Sequence, residues 1–178
     1  MKRHIPDYYA KDIFSIDASF FKNRGIQFLL CDLDNTLDSY RLYEPSKRVL
    51  EWKAKIEKEG LQILIISNNH GERVKSYAHA LGVPFCYSTR KPFTRRLLAF
   101  LKKNSIDIQK CALIGDQIIT DVSCGKKSGI LTILTEPIVK EDQWTTRFNR
   151  LIDRPIRRRL KKQGKLKRWE DAEYETRG

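Results

Sequence analysis

Two pairs of aspartates in this 178-residue sequence have a spacing that could hold a metal ion. Asp32 and Asp34 follow the apolar run 27–31, and Asp116 and Asp121 follow a later apolar run. In an extended segment, side chains two residues apart point to the same side, so the carboxylates of the first pair should lie together. Such acids repel each other unless a proton or a cation separates them. Mg²⁺, which prefers oxygen ligands and often binds phosphate oxygens as well, suits this need.

Each pair also has an interpretation that involves no chemistry. Asp34 and Asn35 together are typical of a turn, and Asp121 lies where an acidic side chain can stabilise the start of a helix. From the aspartates alone, a metal site and ordinary local structure are therefore both possible interpretations.

A hydroxyl and a lysine follow two further strand-like runs. Ser67 follows the run 61–66, and Lys91 lies just before Pro92 after a weaker run. The Ser67 hydroxyl could hydrogen-bond a phosphate oxygen, and the Lys91 ammonium could neutralise phosphate charge. Alone, each is weak evidence, since serine is common at helix caps and lysine on surfaces. Together with the aspartates they supply the nucleophile, metal ligands and cationic clamp of phosphoryl transfer.

The elements that must position these residues alternate between strand-like and helical patterns. Such alternation predicts an α/β fold, with a doubly wound parallel sheet between two layers of helices. The carboxyl ends of parallel strands share one edge of a sheet, where ligands bind. The predicted strands are 27–31, 61–66, 83–86, 111–114 and 130–134, and the predicted helices are 45–59, 71–81, 93–103 and 120–128.

In order and spacing, these motifs resemble those of the haloacid dehalogenase superfamily. The resemblance covers about residues 31–134, through Asp32-x-Asp34-x-Thr36, Ser67, Lys91 and Gly115-Asp116-xxxx-Asp121. It implies a Rossmann-like core and a magnesium-dependent phosphatase. It also implies that Asp32 is the nucleophile that becomes an aspartyl-phosphate. Asp34 would protonate the leaving oxygen and then activate water, a role that a dehalogenase lacks.

The resemblance also assigns metal-binding and phosphate-binding residues. Asp32, the backbone carbonyl of Asp34 and the Asp116 side chain would hold Mg²⁺. Asp121 would support the metal and orient Lys91. The implied phosphate-binding residues are Ser67, Lys91, Asn68 and Thr36. Asp38, an additional acid after the first motif, has no counterpart in this pattern.

The short distances between motifs predict a phosphatase without a cap domain. Only 30 residues separate Thr36 from Ser67 and 23 separate Ser67 from Lys91, and one strand and one helix use most of each interval. An open site of this kind suits a phosphate carried by a lipid, a nucleic-acid end or a protein, unless another subunit supplies a lid. Within the capless group, the chain resembles the mitochondrial-type phosphatidylglycerophosphatases and their bacterial relatives, including their aromatic N-terminal segment at 6–17.

The charge distribution predicts an anionic partner. The chain has 35 basic and 22 acidic residues, a net charge of +13, and nine Lys or Arg residues with no acid in 154–168. We expect an aromatic arm (1–25), a phosphatase core (26–142) and a basic helical tail (143–178). The tail could be an amphipathic helix on an anionic lipid surface, a nucleic-acid-binding segment or a solvated helix.

Four functions remain open from the sequence. The first is hydrolysis of phosphatidylglycerophosphate at the inner membrane face, and the second is the same chemistry on a nucleic-acid end or a small phosphorylated metabolite. The third is a non-enzymatic RNA- or ribosome-associated module. The fourth, a receiver domain, would require its phosphorylated Asp on the third strand. With no apolar run of about 18–20 residues and no signal-peptide pattern, we expect a cytoplasmic protein, with a peripheral position on the inner membrane face as the alternative.

Overall fold

The computed structural model describes residues 4–139 and 144–175, and its centre is a parallel sheet of six strands. The strands are β1 (Tyr8–Ala10), β2 (Phe28–Cys31), β3 (Gln62–Ile66), β4 (Phe85–Cys86), β5 (Cys111–Gly115) and β6 (Leu131–Thr135). Their order across the sheet is β1-β6-β5-β2-β3-β4. β2 is central, with Cys31 opposite Ile65 of β3 and Ile114 of β5. The predicted α/β fold is confirmed, and β1 is a strand that the sequence analysis did not identify.

Seven α-helices accompany the sheet in the described ranges. They are α1 (Ala18–Lys22), α2 (Lys47–Lys58), α3 (Glu72–Leu81), α4 (Arg95–Lys103), α5 (Ser123–Ser128), α6 (Trp144–Lys162) and α7 (Trp169–Glu175). The Ser46 hydroxyl accepts the Val49 N–H at the start of α2, as a helix N-cap should. α3 ends at Gly82, whose left-handed backbone (φ 69°) favours glycine. A single π-helical turn, Ile118–Val122, leads directly into α5.

Apolar side chains of the central strands divide between the two faces of the sheet. Leu29 and Ile63 belong to a core that also contains residues of α2 and α3. Leu30 and Leu64, their immediate neighbours in sequence, belong to a core with residues of α4 and α5 on the opposite face. Because both faces are covered, the central strands β2, β3 and β5 are continuously apolar apart from Gln62 at the start of β3, and they do not alternate.

The connections on either side of β3 contain one helix each. Residues 32–61, between β2 and β3, form a loop and α2, and residues 67–84 contain α3. Both connections are fully described, and neither contains an additional domain. No cap domain is therefore inserted in either connection, as the motif spacing predicted.

The two ends of the described chain pack together beside β1. The N–H of Tyr9 donates to the Lys167 carbonyl at 2.7 Å, and the Phe20 and Trp169 rings meet edge to face. The segment predicted as an arm thus contributes a strand, and the predicted tail returns to the core through Leu160 and Trp169. The three-part division of the chain remains a prediction. Within the described ranges, no helix combines the length and the apolar character needed to cross a membrane.

Candidate active site

Three aspartates from two separate strand ends meet at the open edge of the sheet. One carboxylate oxygen from each of Asp32, Asp116 and Asp121 lies within 4.8 Å of the others. All three are buried, with exposed fractions of 8%, 0% and 1%. Asp32 directly follows β2, and its N–H donates to the Ile114 carbonyl of β5 at 2.9 Å. The meeting of Asp32 and Asp116, expected from the strand ends, is confirmed.

Gly115 makes room for Asp121 at the end of β5. A Cβ atom at position 115 would lie 2.3 Å from the Asp121 Cγ, closer than any non-bonded contact allows. One Asp121 oxygen accepts the Gln117 N–H at 3.1 Å, which holds the carboxylate over the strand end. The glycine of the fourth motif is therefore required by packing at this contact.

Lys91 lies between two of the aspartates. Its Nζ is 2.7 Å from an Asp32 oxygen, 2.6 Å from an Asp121 oxygen and 2.9 Å from the Ile66 carbonyl oxygen. Burial lowers the pKa of Lys91, but the Asp121 and Asp32 carboxylates raise it, and the net direction is upward. The lysine is therefore charged at neutral pH, and its ammonium offsets part of the repulsion among the acids.

Burial and neighbouring carboxylates act together on Asp32. Burial raises the pKa of Asp32, Lys91 opposes this, and Asp121, Asp116 and Asp34 add to the rise. The net direction is upward because several acids share one small, dry volume. Such a volume favours a second positive charge.

The aspartate cluster fits a hard divalent cation. Its ligands are carboxylate oxygens, which Mg²⁺ and Ca²⁺ prefer. The 4.8 Å limit on the oxygen separations is about twice a typical metal–oxygen distance of roughly 2.0–2.6 Å, so one ion can contact all three residues. Asp32, Asp116 and Asp121 would hold it. The Asp34 side chain lies outside this cluster of described residues, and metal binding through its backbone carbonyl remains a prediction.

The Asp34 carboxylate is held by two side chains that the sequence analysis missed. Arg73 Nη1 lies 2.6 Å from one Asp34 oxygen, and Asn69 Nδ2 lies 2.5 Å from the other. Arg73 also donates to the carbonyls of Leu42 (2.8 Å) and Ser39 (3.1 Å). It thus connects Asp34 to the loop that follows β2. Arg73 could have been identified as a site residue from its position in the first turn of α3, at the same sheet edge as Ser67.

Asn68 holds the main chain at Lys91. Its Oδ1 accepts the Lys91 N–H at 2.7 Å, and its Nδ2 donates to the Lys91 carbonyl at 2.9 Å. The Thr89 hydroxyl also donates to the Asn68 Oδ1. The observed contacts of Asn68 therefore position the lysine, and its predicted contact with phosphate remains a prediction.

Ser67 and Thr36 are both buried at the same edge. The Ser67 hydroxyl accepts the Asn69 N–H at 3.1 Å. Thr36 lies in a tight turn, where its N–H approaches the Leu33 carbonyl. Phosphate binding by these two hydroxyls also remains a prediction.

Asp38, which had no counterpart in the motif pattern, has a structural role. One of its oxygens accepts the Ser46 N–H at 2.9 Å and the Tyr77 hydroxyl at 2.5 Å. Burial and the hydrogen bond to Asp38 raise the pKa of Tyr77. The carboxylate thus joins the loop after β2 to the start of α2 and to the middle of α3.

α6 holds the loop that carries Asp116. The buried Asp153 carboxylate accepts the N–H groups of Ile118 and Ile119 at 2.8 and 3.0 Å. One turn later, Arg157 Nη2 donates to the carbonyls of Asp116 (2.7 Å) and Thr135 (3.0 Å). The helix predicted only as a basic tail therefore positions the metal-site loop, a function that its composition did not indicate.

Comparisons with known proteins agree with this geometry. The family model described as mitochondrial PGP phosphatase matches residues 1–139. The probable phosphatase YqeG of Bacillus subtilis is 36% identical over 170 residues, which cover 96% of this chain and 98% of that protein. Phosphatidylglycerophosphate phosphatase 1, chloroplastic/mitochondrial, of Arabidopsis thaliana is 25% identical over 172 residues, covering 90% of this chain and 49% of that protein.

A solved structure shares the fold. It is an uncharacterized protein from Listeria monocytogenes serotype 4b, with a TM-score of 0.53 and 15% sequence identity. The similarity covers 66% of this chain and 84% of that one. At this identity the match supports the α/β architecture alone.

Proposed function

This chain belongs to the mitochondrial PGP phosphatase family, and we propose that it hydrolyses phosphatidylglycerophosphate at a membrane surface. As a member, it is a phosphatase of the haloacid dehalogenase superfamily. The observation that carries the proposed chemistry is the buried group of Asp32, Lys91, Asp116 and Asp121. It combines a candidate nucleophile, a fixed positive charge and a set of metal ligands in one volume.

In the first half of the reaction, an Asp32 carboxylate oxygen attacks phosphorus while the bond to the leaving alcohol oxygen breaks. The ion pair with Arg73 favours the Asp34 carboxylate, so Asp34 takes up a proton as the substrate binds and gives it to that oxygen. Lys91 offsets negative charge on the transferred group, and Asp121 keeps the ammonium in place. A bound Mg²⁺ would add neutralisation of phosphate charge.

In the second half, water replaces the carboxylate. Asp34, now a carboxylate, takes a proton from the water, whose oxygen attacks phosphorus. The bond between phosphorus and Asp32 breaks, so inorganic phosphate leaves and both aspartates return to their starting forms. Arg73 and Asn69 orient Asp34 for both steps through their contacts with its two oxygens.

Three observations support a lipid substrate. The matching family is described as mitochondrial PGP phosphatase. The connections on either side of β3 contain no cap domain that would enclose a small substrate, which favours a phosphate carried on something large. The net charge of +13 and the basic segment 154–168 favour an anionic surface. We place the protein at the inner membrane face, in contact through this segment.

A substrate panel on the purified full chain tests the proposal. Phosphatidylglycerophosphate in vesicles, a 5′-phosphorylated oligonucleotide and small sugar phosphates would be compared by phosphate release in Mg²⁺. We expect the lipid to have the highest kcat/KM and excess EDTA to abolish its turnover. Preference for the oligonucleotide or a sugar phosphate would refute the lipid assignment, and full activity in EDTA would refute the metal site.

A further inference from the structure

Most of the large apolar side chains exposed to solvent lie at the sheet edge that carries the active site. Five of the eight in the described ranges come from loops that follow strands at this edge. We call these five the rim: Leu42, Tyr43, Tyr87, Phe93 and Ile138. Apolar side chains scattered singly over a surface need no explanation, but their concentration around one edge does.

Backbone contacts connect the rim to the catalytic loops. The Leu42 carbonyl accepts a hydrogen bond from Arg73, which pairs with Asp34. The Ile138 N–H donates to the Asn35 carbonyl at 2.9 Å, within the first motif. Two parts of the rim thus belong to the immediate surroundings of Asp34.

Phe93 and Tyr87 belong to the same loop as Lys91, between β4 and α4. The Phe93 N–H donates to the Arg90 carbonyl at 2.9 Å, directly before Lys91. Tyr87 follows β4 and stacks on Phe85 with ring centroids 6.2 Å apart. The Phe93 side chain is 70% exposed, so its ring projects from this edge into solvent.

α6 adds two more exposed apolar residues near the same edge. Leu151 and Ile152 immediately precede Asp153, which binds the loop after β5. Leu50, the remaining member of the eight, is 46% exposed and lies in the first turn of α2, which begins at this same edge beside Ser46 and Asp38. The control position is therefore Gln109, which is exposed in the turn before β5, at the opposite edge of the sheet.

Positive charge accompanies these apolar residues. Arg41 lies beside Leu42, Arg90 beside Lys91 and Arg154 beside Asp153, and all three are exposed. Glu44 and Glu72 are acidic at the same edge, but the segment 154–168 contains no acid. Apolar and tyrosine side chains interspersed with arginine suit the interface of an anionic bilayer, where apolar groups enter between the headgroups and arginine meets their negative charge. The apolar groove of a partner protein would instead favour a continuous apolar surface without these charges.

We propose that the rim is a membrane-docking surface, which inserts its side chains between the headgroups of an anionic bilayer and turns the open active site toward them. The proposal rests on the proposed function for its choice of a lipid. It goes further by stating which face of the molecule meets the bilayer. A phosphate at headgroup depth would then reach Asp32 without extraction of the lipid.

Vesicle sedimentation with the full-length protein tests this orientation without turnover. Vesicles of phosphatidylcholine would be compared with vesicles that also contain phosphatidylglycerol. We expect the protein to prefer the anionic vesicles. The double substitution Tyr43→Ser and Phe93→Ser should weaken that binding by about tenfold or more, since it removes two apolar groups from the interface. Gln109→Ser, at the opposite edge, should leave binding unchanged, and thermal unfolding would verify that each variant is folded.

Several results would overturn the proposal. One is equal binding by the rim variant and the unsubstituted protein, which would leave the basic segment as the attachment. Another is an equal loss with Gln109→Ser. A third is binding of RNA, with no binding of vesicles. A chain that docks through its rim but does not hydrolyse phosphatidylglycerophosphate would refute the proposed function and leave the docking surface intact.

A tryptophan placed on the rim gives an independent measurement. In Phe93→Trp, we expect brominated lipids to quench fluorescence beyond the level seen for the native tryptophans. Gln109→Trp, in the exposed turn before β5 at the opposite edge, should show no such increase. Equal quenching of the two variants would contradict the proposed orientation.

Discussion

Asp32 is the residue on which the proposed chemistry depends. Asp32→Asn keeps the size of the side chain but removes the nucleophilic charge, so we expect kcat to fall by at least about 10³-fold. Phosphate release from the lipid substrate, with thermal unfolding as a test of folding, measures this. Asp171→Asn, the same change at an exposed position of α7, should retain full activity. Normal turnover by Asp32→Asn would exclude this residue as nucleophile.

Gly115 controls the position of Asp121. Gly115→Ala would place a Cβ 2.3 Å from the Asp121 Cγ, and overpacking of this kind costs about 1–3 kcal/mol. We also expect it to displace Asp121 from Lys91 and thereby reduce the rise in melting temperature that Mg²⁺ produces. Differential scanning fluorimetry with and without Mg²⁺ measures both effects.

Gly125 provides the matched control for Gly115. A Cβ at Gly125 would lie 2.4 Å from the Thr132 Cγ2, a similar clash without a carboxylate. Gly125→Ala should therefore destabilise the fold and leave the Mg²⁺-dependent shift unchanged. If both variants lose the shift equally, the effect at Gly115 is general destabilisation and not displacement of Asp121.

At the scale of elements, α6 connects the C-terminal region to the metal-site loop. Asp153→Asn would replace one of two acceptors with an amide donor facing the Ile118 and Ile119 N–H groups. An unsatisfied buried donor costs about 1–3 kcal/mol. We expect lower stability and weaker Mg²⁺ binding, because the loop that carries Asp116 loses its support. Isothermal titration with Mg²⁺ measures the second effect directly.

Asp107 is the control for Asp153. Its carboxylate also accepts a backbone N–H, from Gln109, but it lies in an exposed turn away from the aspartate cluster. Asp107→Asn should leave Mg²⁺ affinity unchanged. Equal Mg²⁺ affinity in Asp153→Asn and the unsubstituted protein would show that α6 does not position the metal site.

The helices could be predicted from neighbouring residues, whereas β1 could not, because it depends on a strand that is distant in sequence. The predicted helices at 45–59, 71–81 and 93–103 agree with α2, α3 and α4 because cap residues and apolar spacing are local signals. β1 was missed because three residues, Tyr8–Ala10, are too short to show a pattern. Its identity as a strand depends on its pairing with β6.

At the scale of the whole molecule, the cysteines report on folding. Burial raises the pKa of Cys111 to about 12 and that of Cys124 to about 11, and it also raises the pKa values of Cys31 and Cys86. A raised thiol pKa reduces the fraction of reactive thiolate at pH 8. We expect the native protein to react slowly with a thiol reagent, fastest at the half-buried Cys86, and all four thiols to react at once in denaturant.

The sign of the pH dependence follows from these shifts. Folding favours the protonated thiols, so their contribution to stability is complete below the pKa of the unfolded chain, about 8.5. This contribution to stability is lost as the pH rises from the thiol pKa of the unfolded chain through the higher thiol pKa values of the folded protein. Denaturant midpoints measured between pH 8 and 11 should therefore fall, and a rise over this range, or rapid labelling of every native thiol, would contradict the buried positions.

The sequence alone determined the chemical identity of the site and the elements that carry it. Motif residues and apolar periodicity are properties of short segments, so strand ends and helix spans could be inferred without coordinates. Only the tertiary structure decided the contacts of Arg73 with Asp34, of Asp38 with Tyr77 and of α6 with the metal-site loop. Each joins segments far apart in sequence, and such pairs form only where packing brings their backbones within reach. The concentration of exposed apolar side chains at one edge has the same origin, because loops that are separate in sequence become neighbours when parallel strands align.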